Sequence, residues 1–263
     1  MSVIAEAPTA NTQDATRGNV VARLALIELK LFVRERVGPV WGVGFPLALL
    51  VIFGSIPSFN RPKQVFGGMT ELAVYVPVLV AFVIAMLSLN ALPPGLAAYR
   101  ERGVLRRLQT TPVGAGRVLA AQLIINLAVL AAAVVVVLVV ARLAYDVAMP
   151  RQLGGFVVAA LCAGAALMAV GLLVAALAPS TRAAQAIGTV LFFPMMFFAG
   201  LWLPIAQMPS ALRHVSHATP LGAAVQALQD AAAGHWPHTL QLLTMAAYAV
   251  VFGLAAARLF RWE

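Results

Sequence analysis

LAVYVPVLVAFVIAMLSLNALPPGLAAY, Leu72 to Tyr99, runs for 28 positions without a charge between Glu71 and Arg100. About 20 apolar residues in helical form cross the hydrocarbon core of a bilayer, so this stretch is long enough to do so. Working outward, the same interval recurs. Uncharged runs of 24 (37–60), 24 (118–141), 30 (152–181), 30 (183–212) and 27 (231–257) residues lie between charged positions. The β-branched run around Val134–Val140 does not argue for a strand, because hydrocarbon cannot satisfy an open sheet edge. The pattern predicts an all-α, polytopic membrane protein with six transmembrane helices, at about 38–57, 72–92, 118–141, 154–178, 186–203 and 238–257.

Composition agrees. The 263 residues are 62% hydrophobic and 10% charged, with a mean hydropathy of +0.92, whereas a soluble domain runs at about 45–50% apolar and about 25% charged. An ordinary soluble enzyme is therefore excluded. The net charge of +9 does not point to nucleic acid, which needs dense basic stripes on a polar surface; here the charges punctuate apolar runs. With both ends on one face, as six spans require, 13 Lys and Arg fall on that face and 5 on the other. The positive-inside rule then places both termini in the cytoplasm. One cysteine, Cys162, fits neither an internal disulfide nor a metal spacing.

Residues 1–19 carry Glu6 and Asp14 without an apolar core, and read as a disordered cytoplasmic tail rather than a secretory signal. Residues 20–36 predict an interfacial amphipathic helix. Arg23, Lys30 and Arg34 form one stripe, while Val21, Ala22, Ala25, Leu26, Leu29, Phe32 and Val33 gather opposite. The other reading is a continuation of the first span, bent at Gly38-Pro39. The six-span domain then covers 37–258, and 259–263 is a cytoplasmic C-terminus.

The densest charge run is YRERGVLRRLQTTP, Tyr99 to Pro112. If helical, Glu101, Leu105 and Leu108 share a face and Arg102 and Arg106 flank it; Pro112 then stops the helix. The basic residues alone serve positive-inside anchoring, while a leucine face inside a charge run suits docking to a partner. The string Tyr99–Val113 resembles the loop between spans two and three of ABC type-2 exporter permeases. Phe193-Pro194-Met195-Met196-Phe197-Phe198-Ala199-Gly200-Leu201-Trp202-Leu203-Pro204, then Met208-Pro209 and Thr219-Pro220-Leu221, follow in that family's order. The likeness is nearest to bacterial drug- and antibiotic-exporter permeases of the daunorubicin-exporter type, although Arg106 and Arg107 stand where members often carry an acid. The resemblance implies a coupling helix at 99–112, with Arg100, Glu101, Arg102, Leu105, Arg106 and Leu108 facing an ATPase subunit. It also implies a second permease copy or paralogue, two ABC ATPase subunits in a cytoplasmic membrane, and ATP and Mg bound by those partners.

No Gly-x-x-x-x-Gly-Lys-Ser/Thr loop occurs, since Lys30 follows Leu29 and Lys63 follows Pro62; ATP hydrolysis and every cofactor are therefore expected outside this chain. All nine acids lie in tails, loops or span ends, which removes the usual equipment for ion-coupled transport. The span residues Ser88, Asn90, Gln122, Asn126 and Thr189 lack a charged general base beside them, so catalysis is not expected. Asn90, Gln122 and Asn126 suit interhelical hydrogen bonds or a path lining.

His214-x-x-His217 and His235-x-x-His238 have helical spacing, but no cysteine and only Asp230 stand near, and no metal is expected. Between the last two spans, Pro209, Pro220, Thr219 and Gly234 predict two short helices, about 209–217 and 220–232. The second is too apolar for water and too short to span, which suits a re-entrant or interfacial position. The resemblance makes this element an outer gate around Pro204, Pro209 and Pro220; a partly buried loop is the other reading. Phe193, Met196, Phe197 and Trp202, with Asn90 and Asn126, are the candidate substrate path, because methionine and aromatic surface adapts to varied apolar ligands. Lipid-facing bulk or dimer packing explains the same composition. The function expected is a permease subunit exporting a hydrophobic or amphipathic compound. Export of a lipid-linked glycan, or a non-transporting membrane scaffold, are the alternatives.

Overall fold

The computed structural model describes residues 40–66, 68–103 and 115–259, and no strand forms among them. The helix expected over 20–36, residues 104–114 with Leu105, Arg106 and Leu108, and residues 260–263 lie outside the described residues. A π-helical turn, Val40–Gly44, leads into α1 (Phe45–Ser55). Next come α2 (Glu71–Met86), a second π segment (Leu87–Ala91) and α3 (Leu92–Glu101). They are followed by α4 (Ala115–Tyr145), α5 (Leu153–Leu177) and α6 (Thr181–Phe198). Two short helices, α7 (Ser210–Ala218) and α8 (Pro220–Ala233), precede α9 (Thr239–Leu259).

Four of these helical stretches are long and apolar enough to cross a membrane: Glu71–Glu101, Gln122–Tyr145, Leu153–Leu177 and Thr239–Leu259. The other two expected spans fall short for different reasons. At the first, the described apolar helix covers only Gly42–Ser55. At the fifth, the helix begins at Thr181 and not near 186, so Thr181, Arg182, Gln185 and Thr189 dilute its first half. Ser180 sets that start by accepting a hydrogen bond from the Ala183 N–H at 3.1 Å, as an N-cap does. Gly200, at φ 88°, follows the helix end in a left-handed conformation that side chains resist.

The second span also differs from expectation. It runs past residue 92, because Pro93 and Pro94 occupy the first turn of α3, where a missing N–H is tolerated. The π segment absorbs the mismatch, so helix continues for 31 residues from Glu71 to Glu101. At 1.5 Å per residue this is about 46 Å, longer than the ~30 Å hydrocarbon core, which lets Arg100 and Glu101 project beyond it.

α2 is apolar on every side and buried accordingly, without a break from Tyr75 to Ala85. It is the axis of the bundle, touched by α1, α4, α5 and α8. Rings continue the packing: Phe45 stacks on Phe82 at 5.5 Å, and Phe82 meets Phe192 of α6 edge-on at 5.1 Å. α9 lies chiefly along α5, whose Ala159, Ala163, Gly164 and Ala166 let helices approach closely. Only Met245 and Ala256 of α9 are buried.

The short pair α7–α8 forms where Thr219 and Gly234 predict. The Thr219 hydroxyl accepts the Gly222 N–H at 3.1 Å, and Gly234 adopts φ 101° to stop α8. Thr219→Ala is expected to cost about 1 kcal/mol, read as a lower melting temperature in detergent. α8 is buried along Pro220–Val225 and at Ala227, Leu228 and Ala231. Its Gln229 side chain donates to Val74 O at 3.2 Å, tying α8 to the start of α2. The N–H groups of Arg151 and Gln152 donate to Ala232 O and Ala231 O. The segments 56–70, 146–152 and 199–238 thus gather at one end of the bundle, and residues 100–103 and 178–181 meet at the other.

Candidate functional site

At that second end α3 finishes against the turn joining α5 to α6. Arg100 donates from Nη1 to Ala175 O at 3.3 Å and from Nη2 to Ala178 O, both carbonyls belonging to the C-terminal end of α5. Glu101 accepts the Thr181 N–H at 2.8 Å on one carboxylate oxygen and the Thr181 hydroxyl at 2.6 Å on the other. A cation therefore sits at a helix C-terminus and an anion at a helix N-terminus, each the sign that the helix dipole favours. Beneath them Ala97, Ala178 and Ala184 pack together, fully or almost fully buried. Arg102 is exposed and Gly103 turns the chain at φ 64°. Of the six residues expected at the coupling loop, Arg100 and Glu101 are thus bound within the chain. Thr181, the partner of Glu101, was not anticipated, although Pro179-Ser180-Thr181 carries an N-cap signal.

Further into the bundle the π segment Leu87–Ala91 presents its carbonyls to two glycines. A Cβ built on Gly171 of α5 would lie 2.1 Å from Ser88 O, and one on Gly188 of α6 would lie 2.0 Å from Leu89 O. Only glycine permits either approach. The Ser88 hydroxyl is fully buried and makes no hydrogen bond. Beside it Asn90 Oδ1 accepts from Gln185 Nε2 at 3.1 Å and lies 2.9 Å from the Thr189 hydroxyl. Gln185 and Thr189 are one turn apart on α6, so the seam joins α6 to the π segment. Gln185 has no counterpart among the expected path residues, yet an i, i+4 polar pair within an apolar run was its signal.

The aromatic residues separate by side. Phe193, one turn beyond Thr189, is 54% exposed, Trp202 is 56% exposed and Phe197 is partly exposed. Met196 is fully buried, and Asn126 is buried with its amide donating to Gln122 O of its own helix at 2.8 Å. Both are therefore buried within the single chain. One stripe of α6 thus carries exposed Gln185, half-buried Thr189 and exposed Phe193 and Phe197, polar toward its N-terminus and aromatic toward its C-terminus, with exposed Ile187 and Val190 beside it.

At the other end a cavity of about 480 Å³ is lined by His217, Gln226, Gln229, Asp230, His238 and Gln241. Asp230 accepts from Gln241 Nε2 at 2.7 Å. One histidine from each sequence pair thus reaches the same cavity. Burial pulls the His217 imidazole below its usual pKa, and the nearby His214 and Arg213 add to this. The folded chain then binds that proton less tightly than the unfolded one, so stability is complete above about pH 6.5 and declines as pH falls. His217→Gln is expected to flatten the acid limb of a melting-temperature curve against pH. Of the expected gate residues, Pro204 precedes the short turn Ile205–Gln207, Pro209 stands just before α7 and Pro220 opens α8. Arg213 is folded back to donate to Met208 O at 3.0 Å.

The family described as ABC-2 type transporter matches residues 21–232, most of the chain, and the protein belongs to it. It is thus a membrane transport subunit of an ABC transporter, not itself catalytic, which works with ABC ATPase subunits. No curated protein matches the chain.

Proposed function

We propose that this chain is the permease of an ATP-driven exporter that moves a hydrophobic or amphipathic compound, of the drug, antibiotic or lipid kind, outward across the cytoplasmic membrane. The observation that carries the reading is the α6 wall, where the hydrogen-bonding Gln185 and Thr189 lead to exposed Phe193 and Phe197. Such a surface accepts a molecule with a polar group at one end and an apolar body at the other. In this reading the chain crosses the membrane six times, with α1 and α6 as the two further spans and both termini in the cytoplasm. The 99–112 loop receives the motion of two ATPase subunits, and two permeases enclose the path. The end bearing α7 and α8 faces outward as the gate.

The test is copurification of the chain with an ABC ATPase subunit, followed by reconstitution into proteoliposomes. ATP-dependent movement of a fluorescent aromatic compound, with ATPase activity that the compound changes, is the expected result. No nucleotide dependence of transport removes the assignment. Phe193→Ala is expected to weaken the compound's apparent affinity by about tenfold, since loss of an exposed aromatic contact surface costs on the order of 1–1.5 kcal/mol.

A further inference from the structure

We propose that Thr181 is a positioning residue for transport. In this proposal Arg100, Glu101 and Thr181 form a rigid clasp that carries displacement of the cytoplasmic 99–112 loop directly into α6. The proposal rests on the permease reading above and adds where the motion goes next.

Three observations converge. First, the two charged residues are adjacent in sequence and grip two different helix ends: Arg100 the last carbonyls of α5, Glu101 the first N–H and hydroxyl of α6. Exchanging the two charges would oppose the dipole at both ends. Second, α5 and α6 are joined by only Ala178, Pro179 and Ser180, and buried alanines press α3 against that turn. A load on the end of α3 therefore cannot be taken up by slack in the connection. Third, α6 is the helix that carries Gln185, Thr189 and Phe193, and Gln185 lies one turn from the gripped residue. A push on the loop thus reaches the substrate wall through one rigid element. Both carboxylate oxygens of Glu101 are engaged by Thr181, so this exposed carboxylate already serves an internal contact.

The experiment uses the whole permease–ATPase complex in proteoliposomes, with Cys162→Ala as background. Thr181→Val keeps the shape but removes the hydroxyl donor. It is expected to lower ATP-driven transport and compound-stimulated ATPase by about two- to fivefold, the scale of one solvent-exposed contact to a charge. Membrane insertion and copurification should stay at wild-type level, and Thr181→Ser should recover most of the loss. The pair Glu101→Cys with Thr181→Cys should be uncoupled when reduced and regain coupling when bridged by a short bifunctional thiol reagent. Unchanged transport in Thr181→Val, or a bridged pair no better than the reduced one, overturns the clasp while the permease assignment stands. Absence of ATP-driven transport in the unsubstituted complex overturns the assignment itself and this proposal with it.

Discussion

Gly188→Ala is expected to destabilise the protein by on the order of 3 kcal/mol, with a fall in detergent melting temperature of roughly 6–12 °C. The methyl group would lie 2.0 Å from Leu89 O, a backbone atom held by the π segment and unable to swing aside. α6 would have to back away from the bundle axis. That would break the contacts of Asn90 Oδ1 with Gln185 and Thr189. Gly171→Ala faces the same obstacle in Ser88 O at 2.1 Å and should act alike. Gly95→Ala is the control, because nothing stands within 4 Å of a Cβ there. In a helix interior that change is neutral to stabilising, by up to about 1 kcal/mol. Equal melting temperatures for Gly188→Ala and Gly95→Ala would show that the helices are not packed in this way.

Glu101→Ala should leave the protein inserted and abundant while strongly reducing transport and partner-stimulated ATPase. The substitution removes both acceptors of Thr181 at once, that of its backbone N–H and that of its hydroxyl. The fold tolerates the loss, because Ser180 still caps α6 through the Ala183 N–H and Ala97, Ala178 and Ala184 still pack. What disappears is the link between the end of α3 and the start of α6. Normal transport by this variant, measured against its amount in the membrane, would show that the link is not used.

Much of the architecture can be read without coordinates. Charge-free runs mark α2 through α5 and α9, since a charge within lipid is costly and its absence over 20 or so residues is conspicuous. Thr219 and Gly234 mark the limits of α8 because a cap hydroxyl and a left-handed glycine act on their own neighbours. The site was less legible. Glu101 is recognisable as important from its surroundings, but its partner stands 80 positions away, and nothing in either local stretch names the other. Met196 and Phe197 look alike in composition, yet one is fully buried and the other faces outward, a matter of helix rotation. The second span was expected to end near residue 92, whereas the π segment ahead of Pro93-Pro94 carries the helix on into α3.

Hydrophobic patterning and local caps were enough to establish a helical membrane chain, because burial in lipid and termination of a helix depend on residues close together in sequence. The clasp of Arg100 and Glu101 on the α5–α6 turn, the polar seam at Asn90 and the glycine contacts at 171 and 188 emerged only once distant helices were brought side by side. Each of them depends on the distance and rotation between elements, quantities that tertiary packing sets and no short stretch of residues encodes.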